Sequence, residues 1–284
     1  MKQGETSSEA GELGGFEGRE ELHLRLFKAS TQPIGSNWDT QNVNSSFWRF
    51  YYNDVSGAEI EWSGGTFGLD GGKCYFLPAG LRFNCRNATN IRHFYVHFEI
   101  LGLSGIVMQE MFSSPVEIGA KIEFVEKVRT LSAKTVGNGG LDFGLESRLK
   151  AVIYEALALC FEELPYERQD QFARLTASIS DMLPAIHHIE AELGSTISNF
   201  SLSKICCMSE NHFIRRFKER LGQTPAKYIQ ERRLAKAGQR LLFTSESIEK
   251  IAEETGFGNR FYLTRVFSRH FKLSPAAYRK RARV

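Results

Sequence analysis

His212-Phe213-Ile214-Arg215-Arg216-Phe217 returns fifty positions later as Tyr262-Leu263-Thr264-Arg265-Val266-Phe267. Downstream, Thr224-Pro225-Ala226-Lys227-Tyr228 returns in the same register as Ser274-Pro275-Ala276-Ala277-Tyr278. Each copy reads as a basic helix with an aromatic stripe, followed by a Ser/Thr cap and a Pro in the first turn of a second helix. Two such units in tandem predict a protein that lays two helices into neighbouring grooves of DNA.

The helical period assigns faces. In the first unit Ser209 stands at the N-cap, where its hydroxyl is expected to accept an unpaired backbone N–H. Phe213, Phe217 and Leu221 then form one apolar stripe. Asn211, Arg215 and Lys218 fall on the opposite face, with His212 at its edge. In the second unit Asn259 is the cap, and Leu263, Phe267 and Phe271 make the stripe. Phe261, Tyr262 and Arg265 face away from it, Arg260 opens the helix and Thr264 completes the candidate surface. Arg pairs bidentately with guanine and Asn with adenine, so these side chains are the candidate DNA-reading residues. Leu202 to Cys206 and Ile248 to Glu254 supply a support helix for each reader, with Gly256-Phe257 as a sharp turn. A helix from Thr224-Pro225 to about Leu242 links the units. Consecutive major grooves on one DNA face lie ~34 Å apart, a spacing a rigid linker suits.

Charge agrees. Residues 179–284 carry 19 Lys and Arg against 10 Asp and Glu, a net of +9 within a chain whose total is +3. The first 178 residues carry 17 against 23 and are mildly acidic. Double-stranded DNA is the partner such a basic domain implies, because phosphate contacts need Lys and Arg.

Residues 184–281 resemble the double helix-turn-helix domain of the AraC/XylS family of transcription regulators. The resemblance is carried by Met208 to Lys218, by Gly256-Phe257-Gly258-Asn259-Arg260-Phe261-Tyr262-Leu263-Thr264-Arg265-Val266-Phe267, and by Ser274-Pro275-Ala276-Ala277-Tyr278-Arg279. Three positions depart from it: Ser203 stands where a small Ala is usual, Cys207 where a turn Gly is usual, and Lys272 where Gly commonly precedes the last helix. The resemblance implies activation by contact with RNA polymerase.

Ahead of this domain the pattern is different. Residues 1–20 are rich in Gly, Glu and Ser and read as a disordered tail. From 21 to 118, short runs such as Leu22-His23-Leu24-Arg25-Leu26-Phe27, Ser46-Phe47-Trp48-Arg49-Phe50-Tyr51-Tyr52 and Ile91 to Glu99 predict an antiparallel barrel or sandwich. From 119 to 178 the period becomes helical. Leu145, Leu149, Val152, Ala156 and Leu159 form a narrow seam that suits either a partner helix or packing on the chain's own barrel, and the first of these predicts a homodimer. The fold class expected is therefore α+β and multidomain: a cupin-like antiparallel β-barrel, a helical linker or dimerisation region, and an all-α reader over 179–284.

The cupin-like identity rests on resemblance. Asp70-Gly71-Gly72-Lys73-Cys74-Tyr75-Phe76-Leu77-Pro78-Ala79-Gly80 is similar to the family's Gly-then-Pro barrel segment, and Tyr95-Val96-His97-Phe98 to its closing strand. By similarity to sugar-responsive relatives, Tyr51, Asn53, Arg82, Asn84, His93 and Tyr95 are the candidate effector residues, and a small carbohydrate-like effector is expected. The competing reading is a metal-binding cupin, catalytic or sensory, using His93, His97 and Glu99. The His-x-x-x-His spacing lacks the second ligand set such an enzyme needs, so no catalytic residue, metal or cofactor is assigned. No apolar run approaches the ~20 residues that span a bilayer. The N-terminus lacks a signal-peptide core, and the five cysteines show no Cys-x-x-Cys spacing, so a cytoplasmic protein is expected.

Overall fold

The computed structural model describes residues 22–101, 103, 105–136 and 142–281. The tail expected over residues 1–20 lies outside the described residues. The β domain has two antiparallel sheets. One has five strands in the order β1 (His23–Ile34), β8 (Ile91–Leu101), β3 (Trp48–Asn53), β6 (Cys74–Leu77), β9 (Val116–Ile118). The other has four, in the order β2 (Thr40–Val43), β7 (Phe83–Asn87), β4 (Ala58–Trp62), β5 (Gly65–Leu69). No ladder joins the two sheets among the described residues, so the expected barrel is not closed.

Alternation explains the aromatic run of β3. Successive side chains point to opposite faces, and both faces of this sheet are covered, so all six residues Trp48–Asn53 are buried. Tyr51, Tyr75 and Tyr95 face the second sheet, where they pack with Ile60, Leu69 and Cys85. Trp48, Phe50, Phe76, Phe94 and Phe98 face the helices.

Those helices are α1 (Gly105–Met111), α2 (Ile122–Lys134), α3 (Phe143–Glu162) and α4 (Tyr166–Ser178). Leu149, Val152 and Ala156 of α3 are buried in the same cluster as Phe124, Val128 and Leu131 of α2. The seam read as a dimerisation surface is thus filled from within the chain.

The C-terminal domain begins with a 3-10 turn (Ser180–Met182) and α5 (Leu183–Ala191), with Pro184 in its first turn. It continues with α6 (Asn199–Ile205), α7 (Glu210–Leu221), α8 (Pro225–Phe243), α9 (Ile248–Glu254), α10 (Arg260–Phe271) and α11 (Pro275–Arg281). The long helix α8 contributes to two cores. Its Tyr228 and Ile229 join Phe213, Phe217 and Leu221, and its Leu234, Ala237 and Leu241 join Leu263, Phe267 and Phe271. One helix embedded in both units fixes their relative placement by packing.

The two domains touch through specific contacts. Ser46 donates to the Ala235 carbonyl at 3.0 Å, and the Tyr278 hydroxyl donates to the Asn44 carbonyl at 3.1 Å. The rings of Phe27 and Phe243 stack at 5.2 Å with an interplanar angle of 8°. No helix among the described residues is long and apolar enough to cross a membrane.

Candidate nucleic-acid interface and effector cavity

The two reading helices, α7 and α10, each have twelve residues, offset by fifty positions. Their support helices, α6 and α9, are offset by only 49, so the second turn holds one residue more. Both turns use a left-handed residue: Cys207 at φ 55° in the first, Gly256 at 74° in the second, where Gly258 at 75° is the extra residue. Cys207 therefore adopts the backbone a turn glycine would, although a side chain disfavours it by ~1–2 kcal/mol. Ser203, the other small-residue departure, is buried with its hydroxyl returned to the Phe200 carbonyl at 2.9 Å. Both reading helices end on a left-handed residue, Gly222 and Lys272.

Capping differs between the units. The Asn259 carboxamide accepts from the N–H groups of Phe261 and Tyr262 at 3.1 and 2.9 Å. Ser209 occupies the N-cap of α7 with extended backbone, but its side chain makes no bond to the helix. The backbone bond of the first turn forms in both units, with Phe213 N–H donating to the Ser209 carbonyl at 2.9 Å and Leu263 N–H to the Asn259 carbonyl at 3.2 Å.

The apolar stripes are buried as their spacing requires, and Asn211, His212, Arg215 and Lys218 are exposed. In the second unit Arg260, Phe261, Tyr262 and Arg265 are exposed and Thr264 is half-buried. Phe261 is 73% exposed, an unusual position for a Phe and one open to an apolar groove contact. The Arg265 guanidinium lies 5.3 Å from the Tyr262 ring centroid, and Tyr262 accepts from Gln230 at 3.3 Å. Arg216 belongs to the scaffold, since its Nε donates to Asp181 at 2.7 Å. Arg233, on α8, donates to the carbonyls of Leu193, Gly256 and Ser195 at 2.9, 2.9 and 2.6 Å. It ties the entry of the first unit to the turn of the second.

A cavity of about 200 Å³ opens between the β domain and the second unit. Its β-domain wall includes Trp38, Phe47, Arg49, Tyr51, His93, Tyr95 and His97, and Phe243, Phe271 and Tyr278 close it from the other side. Burial pushes His93 down to about 3 and His97 well below the usual imidazole range, the latter helped by Arg49 and Lys28. Both imidazoles are neutral at neutral pH. His93 Nδ1 is 2.8 Å from Asn53 Oδ1. Among the described residues no group of three or more His, Cys, Asp and Glu side chains is arranged to hold a metal ion.

A helix-turn-helix domain family model matches residues 202–281. The MmsAB operon regulatory protein of Pseudomonas aeruginosa is 33% identical over 82 residues, 29% of this chain and 27% of that protein. The chain spans about a third of the length of the curated relatives of that kind. The multiple antibiotic resistance protein MarA of Salmonella typhimurium is 34% identical over 91 residues, 32% of this chain and 72% of that protein. The chain belongs to the AraC/XylS family of DNA-binding transcription regulators. The structure of ToxT from Vibrio cholerae with an unsaturated fatty acid bound aligns with 91% of this chain and 94% of that one, with a TM-score of 0.51 at 10% identity. A β domain followed by a double helix-turn-helix domain is thus an arrangement this AraC/XylS-family chain shares along nearly its whole length.

Of the six candidate effector residues, Tyr51, His93 and Tyr95 line the cavity. Asn53 stands behind His93 and also donates to the Leu69 carbonyl at 3.4 Å. Arg82 is exposed outside the lining, and Asn84 is spent between neighbouring strands of the second sheet, donating to Glu61 at 3.2 Å and accepting from the Asn42 N–H at 2.8 Å. Glu99 shares the face of His93, Tyr95 and His97 but pairs with Arg25 and Arg232 at the far end of β8. Sequence reasoning missed Arg49. The signal was present, because alternation on β3 puts Arg49 on the face of Phe47 and Tyr51.

Proposed function

We propose that this AraC/XylS-family regulator is controlled by a small polar effector held between its β domain and its second reading unit. The observation that carries the reading is the cavity itself, with one wall from each domain. A ligand filling it touches the strands and the helices that hold α10, so occupancy and the placement of the second reader are linked. Such a ligand shifts the DNA-binding arrangement only by as much as it prefers one arrangement over the other. Aromatic faces from Trp38, Tyr51 and Tyr95 together with polar groups suit a ring-shaped, carbohydrate-like molecule. That ToxT, with the same fold, has been solved with a small molecule bound supports an effector-responsive β domain.

The DNA contacts in this reading are those of Asn211, His212, Arg215 and Lys218 from α7, and Arg260, Phe261, Tyr262, Thr264 and Arg265 from α10. Gene activation through RNA polymerase and action as a homodimer complete it. With the Leu149–Val152–Ala156 seam consumed inside the chain, the dimer has to use the outer faces of the helices or the sheet edges. The test is thermal unfolding of the full chain against pentoses, hexoses, uronic acids and their phosphates, paired with band shifts on selected DNA. A saturable rise in Tm with a matching change in DNA affinity is expected, since a ligand specific to the folded state raises its stability. A ligand that binds and leaves DNA affinity untouched sinks the coupling.

A further inference from the structure

Arg49 is 6% exposed, and its Nη1 has no hydrogen-bond partner. Its guanidinium lies between two rings, 4.6 Å from the centroid of Phe47 and 5.2 Å from that of Phe83. A buried cation without a carboxylate is costly, and the charges of natural interiors are normally paired. No Asp or Glu is among the residues lining the cavity that Arg49 enters, and Lys28 stands exposed at its edge. Two further residues lining the same cavity each hold a buried polar atom without a partner, Nδ1 of His97 and Oγ of Ser45. His97 is the direct cross-strand neighbour of Arg49 in the β3–β8 ladder. Three residues that line one cavity, one of them charged, thus each hold a potential N–H or O–H donor with no protein acceptor.

We propose that the effector is a small organic acid whose carboxylate is received by Arg49, His97 and Ser45, with its ring-shaped body between Tyr95 and Phe243. This rests on the effector-controlled reading above and names the chemical class of the ligand. Charge-assisted N–H···O bonds to a carboxylate are about twice as strong as neutral ones. Burial and the adjacent Arg49 keep His97 neutral, so its ring carries one N–H to offer. The size agrees: the cavity, at about 200 Å³, exceeds the ~150 Å³ that accommodates benzene in an engineered protein core. A sugar acid and an aromatic acid present the same carboxylate and differ in the body they place against the rings.

The experiment uses the full chain with galacturonate and benzoate as probes, and galactose and benzamide as their uncharged counterparts. Thermal unfolding and titration calorimetry are run on the wild type, Arg49→Met and Arg49→Lys. A saturable Tm rise with an acid and not with its uncharged counterpart is expected, with at least tenfold weaker affinity in Arg49→Met and partial recovery in Arg49→Lys. Which acid responds tells a sugar body from an aromatic one. Without ligand, Arg49→Met should melt at or above the wild-type temperature, because it removes an unpaired buried charge. A clearly lower ligand-free Tm makes Arg49 a structural residue and overturns the proposal. Galactose binding as well as galacturonate, unaffected by Arg49→Met, overturns the acid while leaving an effector-controlled regulator standing. Silence from both acids overturns the proposal too, and the band shift, read separately, decides the DNA-binding reading independently.

Discussion

Arg232 of α8 reaches across the domain boundary, its Nη2 donating to Glu99 of β8 at 3.0 Å and also to Glu190 of α5 at 2.9 Å. Glu99 is 7% exposed and is shared with Arg25 at 3.1 Å. The helix that spaces the two DNA readers is thereby tied to the strand that carries His93, Tyr95 and His97. A change in the cavity and a change in the pose of α8 are felt by the same strand.

Glu99→Gln keeps the shape of that junction and removes its charge. A hydrogen bond to a charged group contributes about 1.5–3 kcal/mol, and Arg232 keeps Glu190 in the variant. Docking of the domains should weaken by about that amount without unfolding either one. Limited proteolysis in the segment joining α4 to α5 reads this directly, with faster cleavage in the variant. Cleavage at the wild-type rate means that the Phe27–Phe243 stack and the Ser46 and Tyr278 bonds hold the interface by themselves.

The two turns respond oppositely to substitution. A Cβ on Gly256 would lie 2.6 Å from Arg233 Cζ and 2.6 Å from the Leu193 carbonyl oxygen, on a backbone at φ +74°. Gly256→Ala should cost more than the ~1–2 kcal/mol of the left-handed backbone alone, because it also displaces the Arg233 clamp. Cys207→Gly, at φ 55°, should stabilise by about 1 kcal/mol, less whatever freedom Gly restores to the unfolded chain. Urea unfolding of the two variants checks both signs.

Acid sensitivity follows from the cavity histidines. His93 is held down to about 3 and His97 well below its usual range, both chiefly by burial. A depressed imidazole pKa means the unfolded chain binds protons before the folded one does. Stability contributed by neutral burial is full above about pH 6.5 and declines as pH falls from there toward 3. The slope per histidine approaches 1.4 kcal/mol per pH unit. His93→Gln should flatten the stability profile between pH 6 and 4, measured by denaturant midpoints at each pH. An unchanged slope would mean another group sets the acid limb.

The helical half was legible because its signals are local. A four-residue Phe stripe and a Ser or Thr before Pro state their elements within a dozen residues, and the support helix expected at Ile248 to Glu254 forms over those residues. The β domain depends on pairings between strands far apart in sequence. Alternation along Ile91 to Glu99 places His93, Tyr95 and His97 on one face, but whether two sheets close into a barrel is a property of ladders no single strand encodes. Arg49 was hidden inside an aromatic run that reads as core. The cavity wall from Phe243 and Tyr278 comes from the other domain, and no spacing rule reaches that far. The α3 seam showed the limit of periodicity: it gives the buried face and not the partner that buries it.

Arg265 offers the sharpest test of the DNA assignment. It is exposed on α10, with its guanidinium poised beside the Tyr262 ring, while Arg216 of the other unit is spent on Asp181. If Arg265 pairs with a base edge, Arg265→Ala costs roughly 1–3 kcal/mol on the selected site and relaxes preference at one base position. Lys218, exposed near the end of α7, is the contrast. As a phosphate contact its loss should weaken all sequences alike and reduce the salt slope by about 1. Binding measured on the selected site, on single-base variants and across a salt series separates the two. Uniform weakening by Arg265→Ala would reassign it to the backbone and move base reading on α10 to Arg260, Phe261 and Tyr262.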